Sequence, residues 1–168
     1  QDNFKLLKTT ALDLSLFNLQ RARCTLGSHS GTMFLEGNAE HMPLENESQH
    51  IVTCNFVLSS MPADAQVNAI NEMARVLKPG GKVIIVDATQ PEFDGYSTCT
   101  FDQLPSWRET PTYQAYLKSD LEYALIKAGL FVQDKEVNWV SKVLVAQKPP
   151  QLSSVGSDNA LGLMGIGF

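Results

Sequence analysis

Three observations predict an α/β fold built on a mostly parallel sheet. Residues 51–54 and 83–86 are short continuous apolar runs, as expected of strands covered on both faces. Between them, apolar residues recur at steps of three and four, which is the spacing of one helix face. A strand, a helix and a second strand in this order form the crossover unit that joins parallel strands. Such a unit occurs in many α/β proteins and therefore defines only the class.

The helix of this unit has recognisable ends. Pro62 and Asp64 suit its first turn, where free N–H groups require no proline donor and favour a carboxylate. Pro79-Gly80-Gly81 is predicted to stop it, and residues 82–86 then form the next strand. The buried face of the helix is predicted to comprise Val67, Ile70, Met73, Ala74 and Leu77.

Two further strands are predicted upstream, over residues 9–13 and 32–36. Asp13 stands at the carboxyl end of the first, where open α/β sheets bind ligands. Ser15 has the side chain of an N-cap and is predicted to begin a helix that Gly27 closes.

The chain is predicted to close with a helix and a hairpin. Ser119 and Glu122 have capping-box spacing, which indicates the start of a helix. Residues 131–137 and 139–146 predict two hairpin strands, the last one antiparallel to the rest of the sheet. Residues 149–168 are rich in Ser and Gly and are predicted to form a flexible tail.

Composition restricts the functions that this chain can have. It has 168 residues, 43% of them hydrophobic, and a net charge of −5, so it can form one domain with a core but lacks the basic face that nucleic acids require. No apolar run is long enough to span a membrane. Cys24, Cys54 and Cys99 have the spacing of neither a disulfide framework nor a metal site. We therefore expect reduced cysteines, no bound metal and an intracellular, cytoplasmic location, or an organelle if a targeting segment is missing.

The amino-acid string of the central strand–helix–strand unit is more specific than its hydrophobic periodicity. The string C-N-F-V-L-S-S-M-P, followed by E-M-A-R-V-L-K-P-G-G-K-V-I-I-V-D, resembles class I S-adenosylmethionine-dependent methyltransferases of the small-molecule, type 11-like group. Two upstream strings, A-L-D-L-S at residues 11–15 and G-N-A-E at 37–40, lie at matching distances. The resemblance covers roughly residues 1–149 and implies a Rossmann-like, doubly wound sheet with a C-terminal antiparallel hairpin.

The resemblance also implies which residues contact the cofactor, S-adenosylmethionine. Asp13 matches the acid that binds the ribose hydroxyls, with Leu14 beside it, although Asp13 could instead cap the next helix. Asn38 would accept a hydrogen bond from the adenine amine and the Ala39 N–H would donate to the ring, although G-N-A could be an ordinary turn. Asn55 would face the methionine part of the cofactor.

This sequence departs from the family pattern at several positions. Asn38 stands where the family usually has Asp, and Ser59-Ser60 replaces paired histidines found in many members. None of the three histidines, His29, His41 and His50, is expected to catalyse, so the catalytic residue is unknown. No G-x-G turn precedes Asp13, so we expect a partial methyltransferase domain over residues 1–148 that lacks the first strand. That strand would be central, and its absence would leave two strand edges unpaired.

Residues 88–118 lack periodicity and contain prolines and many aromatic side chains. A long irregular insertion of this kind is often a lid or a binding loop, so the aromatics could line a pocket for a ring-bearing methyl acceptor. Alternatively, they pack the segment against the sheet edge. The sequence favours neither.

The leading functional hypothesis is methyl transfer to a small molecule, with no nucleic acid and no membrane span involved. A non-catalytic remnant that binds the cofactor weakly, or binds a partner chain, is the alternative. A dinucleotide oxidoreductase comes third, because it would need a glycine fingerprint that this chain lacks. The sequence identifies neither the acceptor nor the oligomeric state.

Overall fold

A computed structural model describes residues 8–26, 31–90 and 110–151. Within these ranges the chain forms six strands and four helices, with a 3-10 turn at Leu58–Ser60. In order they are β1 (Thr9–Asp13), α1 (Leu16–Leu26), β2 (Thr32–Glu36), β3 (Gln49–Asn55), α2 (Ala63–Val76), β4 (Leu77–Ala88), α3 (Pro111–Leu117), α4 (Leu121–Lys127), β5 (Phe131–Val137) and β6 (Ser141–Gln147).

The strands form two sheets. β1 and β2 pair in parallel, with Asp13 opposite Glu36. The second sheet has the order β3-β4-β6-β5, in which β3 and β4 are parallel and β6 is antiparallel to both β4 and β5. The predicted Rossmann-like α/β class with a C-terminal antiparallel hairpin is confirmed. Within the described residues, β1 and β3 each have a strand partner on one side only, so both predicted free edges are present.

The main hydrophobic core lies between the second sheet and helices α2, α3 and α4. Apolar stripes of the helices meet the inward faces of β4 and β6 there, which removes them from water. Its most deeply buried members include Leu58, Ile70, Met73, Leu77, Val83, Ile85, Tyr116, Leu121, Leu125 and Leu144.

Helix α2 differs from its predicted face at two positions. Ile70, Met73 and Ala74 are buried as predicted, but Val67 is about half exposed. Gln66, one position earlier, is buried instead, because the core contacts the adjacent side of the helix. Leu77 is fully buried but is not helical, since its backbone is extended and it begins β4.

The K-P-G-G string is the first part of β4 rather than a separate turn. Gly80 has φ +77°, a conformation that L side chains rarely adopt, and its N–H donates to Lys148 O at 3.0 Å. A Cβ at Gly81 would lie 2.8 Å from His50 O, so only glycine allows β3 to approach this closely. β3 is less buried than its apolar run suggests, since Ile51 is 60% exposed. The reason is that β3 is an edge strand among the described residues.

Three boundaries shift in the C-terminal half. Asp120, not Ser119, caps α4, because its carboxylate accepts the Tyr123 N–H at 2.9 Å. Trp139 lies in the hairpin turn rather than in β6. The predicted irregular segment contains helix α3, whose Tyr113 is buried in the core, so this part of the segment packs against the rest of the domain. Residues 91–109, with most of the aromatics of that segment, lie outside the described residues, as do Gly27 and the predicted tail beyond residue 151.

No helix in the described ranges is long and apolar enough to cross a membrane. The same residues contain no cluster of three or more His, Cys, Asp or Glu side chains that could hold a metal ion. Cys24 is exposed, Cys54 is buried and both are free thiols. Cys99 lies outside the described residues.

Candidate functional site

Asp13 ends β1 and organises the start of α1. Its Oδ1 accepts the Ser15 N–H at 2.7 Å, and its Oδ2 accepts from Asn18 Nδ2 at 3.2 Å. Ser15 Oγ in turn accepts the Asn18 N–H at 3.4 Å, which satisfies a free donor of the first helical turn. Ser15 is therefore the capping residue, and Asp13 orders the start of α1 by bonding to Ser15 and to the Asn18 side chain. Each carboxylate oxygen retains a second acceptor site for a ligand hydroxyl.

The turn at residues 37–40 follows β2 and lies against the end of β1. The Gly37 N–H donates to Asp13 O at 3.1 Å, which joins the two strand ends. Asn38 Oδ1 accepts the Glu40 N–H at 2.9 Å, so Asn38 shapes its own turn. In the described part of the chain, the Ala39 N–H has no hydrogen-bond partner. The turn thus offers a free N–H two residues after Gly37, which is bonded to the main-chain oxygen of Asp13.

Two side chains of α2 fix the loop that follows this turn. Glu72 Oε2 accepts the Met42 N–H at 2.7 Å, and Arg75 Nη2 donates to Met42 O at 3.0 Å. Arg75 Nη1 also donates to Leu44 O at 2.9 Å and to Asn46 Oδ1 at 2.6 Å. These bonds link the first sheet to the helix that packs on the second.

The Glu72–Arg75 pair is itself close, with Nε to Oε1 at 2.6 Å. Hydrogen bonding to Arg75 lowers the pKa of Glu72 from its usual value, with a smaller lowering from the Met42 N–H. The same hydrogen bond raises the pKa of Arg75. Both groups are therefore charged around neutral pH, as the loop contacts require.

Asn55 ends β3, and its side chain is exposed. The next residue, Phe56, has φ +52°, in the left-handed region. The Phe56 N–H donates to Val86 O at 2.7 Å, and the Ser59 N–H in the following 3-10 turn donates to Asp87 Oδ2 at 3.3 Å. Two adjacent residues at the end of β4, Val86 and Asp87, thus hold this turn in place.

Ser59 and Ser60 take the positions of the paired histidines in the resembled family. Ser59 is buried and Ser60 is exposed, and neither can act as an imidazole base. Of the histidines, His41 and His50 are exposed, and His50 Nε2 lies 3.3 Å from Lys78 Nζ. His29 lies outside the described residues.

Cys54 is the remaining nucleophile near this strand end. Burial, with a smaller contribution from the nearby Asp87 charge, raises the pKa of its thiol to about 12. A thiol with that pKa is protonated at neutral pH, so Cys54 is a core residue rather than a nucleophile.

A network of buried polar side chains lies where β6, the end of β4 and α3 meet. The Lys142 ammonium donates to Gln90 Oε1, and Gln90 Nε2 donates to Tyr116 O and to Ser119 O. The Tyr116 hydroxyl donates to Ala88 O. This network joins β6, the end of β4 and α3, and thereby holds α3 on the core.

The structure brings four of the five predicted cofactor residues together. Asp13 ends β1 and Leu14 follows it, and Asn38 and Ala39 come directly after Gly37, whose N–H is bonded to Asp13 O. Asn55 ends a strand of the second sheet. Glu72, Arg75 and Asp87 were not predicted to support the site. The only sequence signal for the first two is their i, i+3 spacing on a helix, which is also common on solvated faces.

Comparisons with known proteins agree with this geometry. A family model described as "Methyltransferase domain" matches residues 2–85. A demethylmenaquinone methyltransferase of Bacillus licheniformis is 34% identical over 90 residues, which are 54% of this chain and 38% of that protein. One from Listeria monocytogenes is 29% identical over 137 residues, which are 79% of this chain and 50% of that protein.

The fold is similar to solved structures as well. A SAM-dependent methyltransferase from Methanosarcina mazei matches with a TM-score of 0.62 at 19% identity, over 84% of this chain and 82% of that chain. Identity this low supports the fold alone. The chain spans about half the length, or less, of the curated relatives that it matches.

Proposed function

Since the chain belongs to the methyltransferase domain family of class I, S-adenosylmethionine-dependent enzymes, we propose that the whole protein transfers a methyl group to a small-molecule acceptor. The observation that supports this most is the extent of the family match. Residues 2–85 include β1, β2, β3 and α2 and all five residues predicted to contact the cofactor. The polar ones stand at or just after the carboxyl ends of parallel strands, where open α/β sheets bind ligands.

The residues present fit an adenosyl group. The unpartnered Ala39 N–H can donate to an adenine nitrogen, and the Asp13 carboxylate can accept from ribose hydroxyls. The exposed Asn55 amide can both donate to and accept from the amino acid part of the cofactor. When bound, S-adenosylmethionine supplies an electrophilic methyl group on its sulfonium. The protein then has only to hold and orient the two reactants, which explains why the described residues contain neither a metal cluster nor an activated nucleophile.

For the acceptor, we propose a ring-bearing compound of the quinol type. Two relatives are named demethylmenaquinone methyltransferases, which is the support for this choice. The proposal concerns the whole protein, because this chain corresponds to only part of those relatives. An intracellular, reducing location stays a prediction from the cysteine pattern.

A second candidate is a non-catalytic remnant that binds the cofactor weakly or binds a partner chain. Two observations favour it. Asp13 and Asn38 already make hydrogen bonds within their own turns, and β1 and β3 have free edges within the described residues. Free strand edges are sites at which another chain can pair.

Calorimetry with S-adenosylhomocysteine, with NAD as the comparison ligand, tests the proposal. We expect saturable binding of S-adenosylhomocysteine and none of NAD. Methyl transfer from labelled S-adenosylmethionine to phenolic, quinol and lipid acceptors then separates an enzyme from a remnant. Binding without transfer by the whole protein, under conditions in which a relative is active, would support the remnant. Failure of the whole protein to bind S-adenosylhomocysteine would overturn the proposal.

A further inference from the structure

Phe56 combines a strained backbone with an exposed ring. Its φ of +52° lies in the left-handed region, which bulky residues rarely occupy. The side chain is nevertheless 56% exposed, so the strain is not offset by burial in the core. Strained backbone that the surrounding structure holds in place clusters at active sites and ligand-binding positions.

Strand β4 imposes the conformation of Phe56. Its N–H is bonded to Val86 O at 2.7 Å, so the backbone cannot relax without losing a ladder hydrogen bond. Asp87 Oδ2 accepts the Ser59 N–H at 3.3 Å. Leu58, which lies between Phe56 and Ser59 in the chain, is fully buried. The turn is therefore anchored on both sides of the two exposed apolar side chains, Phe56 and Val57.

We propose that Phe56 contacts the flat ring of the methyl acceptor and determines the preference for it. This inference rests on the proposed function and adds a specificity residue to it. Phe56 directly follows Asn55, which is predicted to contact the cofactor, so a molecule held against the ring lies beside that end of the site. An aromatic face favours another aromatic ring by stacked or edge-on contact, and Val57, 40% exposed, extends the apolar surface.

Binding of two matched probes tests this inference without requiring turnover. 1-Naphthol presents a flat bicyclic ring, and decahydro-1-naphthol presents a saturated ring system of similar size. In the presence of saturating S-adenosylhomocysteine, we expect the wild-type chain to bind 1-naphthol more tightly. Phe56→Leu and Phe56→Gly should weaken 1-naphthol binding about tenfold and remove the preference, whereas Phe56→Trp should keep it.

Glu47 supplies a matched control. It is the other non-glycine residue with positive φ among the described residues, also at +52°, and it lies in the loop before β3. Glu47→Gly relieves a similar strain and should leave the binding of both probes unchanged. Urea unfolding midpoints of Phe56→Gly and Glu47→Gly should not fall, which shows that both variants fold.

The outcomes separate this inference from the proposed function. If S-adenosylhomocysteine binds but 1-naphthol is not preferred, or if Phe56→Leu binds it as well as wild type does, the role of Phe56 is wrong and the proposed function stands. If the probes are discriminated through Phe56 while the whole protein does not bind S-adenosylhomocysteine, the role of Phe56 in recognising rings is supported and the proposed function fails.

Discussion

Glu72 and Arg75 lie one turn apart on α2 and together bind both main-chain polar groups of Met42. Glu72 accepts its N–H at 2.7 Å, and Arg75 donates to its carbonyl oxygen at 3.0 Å. The pair thereby positions the loop that begins at the turn of residues 37–40. A helix packed on the second sheet thus positions the loop that follows a turn of the first sheet.

Replacing Arg75 with Met should loosen this loop. The change removes donors to Met42 O, Leu44 O and Asn46 and leaves the Glu72 carboxylate without its ion pair. We expect the free energy of unfolding to fall by about 2 kcal/mol in urea titrations. Arg21→Met is the control, because Arg21 is exposed and, among the described residues, its guanidinium contacts only the Phe17 ring, at 5.9 Å. Loss of this guanidinium should change stability by less than about 0.5 kcal/mol. Equal losses of unfolding free energy in the two variants would contradict the role of Arg75 in holding this loop.

The Glu72 pair also predicts how stability depends on pH. Arg75 lowers the pKa of Glu72 in the folded state below the value of 4.5 expected for a free side chain. A lowered pKa means that the stabilisation is present above pH 4.5 and is lost as the pH falls through the folded-state pKa.

The measurement is the unfolding free energy of wild type and Glu72→Gln at pH 7 and at pH values below the folded-state pKa. The difference should be largest at pH 7 and shrink as the pH falls. Glu122→Gln breaks the more exposed pair with Lys135 at 2.7 Å and should show a smaller difference. A Glu72→Gln difference that stays constant with pH would rule out the linkage.

Asp13→Ala should weaken binding of S-adenosylhomocysteine by about 1–3 kcal/mol, the range for a hydrogen bond to a charged group. Because Asp13 also bonds to Ser15 and Asn18 at the start of α1, the loss has to be separated from helix fraying. An analogue that lacks the ribose 2′-hydroxyl should lose less affinity from the substitution than S-adenosylhomocysteine does. Asn18→Ala removes one local partner of Asp13 and should leave ligand affinity nearly unchanged. Equal losses for both ligands would mean that Asp13 only orders the start of α1.

β1 and β3 each pair on one side within the described residues, and we predict that a further strand lies between them in the active protein. Extending the chain with a strand and a glycine-rich turn of the kind that the resembled family has should protect the amides of β1 and β3 from hydrogen exchange. It should also increase S-adenosylhomocysteine affinity and methyl transfer. A scrambled extension of the same length is the control. If the 168-residue chain turned over as fast as the extended chain, the prediction would be wrong.

Local sequence determined the elements of this protein. Asp13 ends β1 and Ser15 begins α1 as predicted, and Thr32–Glu36 and Phe131–Val137 match their predicted strands residue for residue. These features depend on neighbours in sequence, namely apolar runs, turn residues and caps, which are visible without knowledge of distant contacts.

Tertiary structure decided what depends on partners far along the chain. Ile51 is exposed because β3 is an edge strand among the described residues, and Leu77 leaves the helix because β4 extends back to it. The left-handed backbone of Phe56 depends on Val86, and the loop at Met42 depends on Arg75, thirty-three positions away. Hydrogen bonds over such separations obey no periodicity, so the sequence by itself contains no pattern from which to predict them.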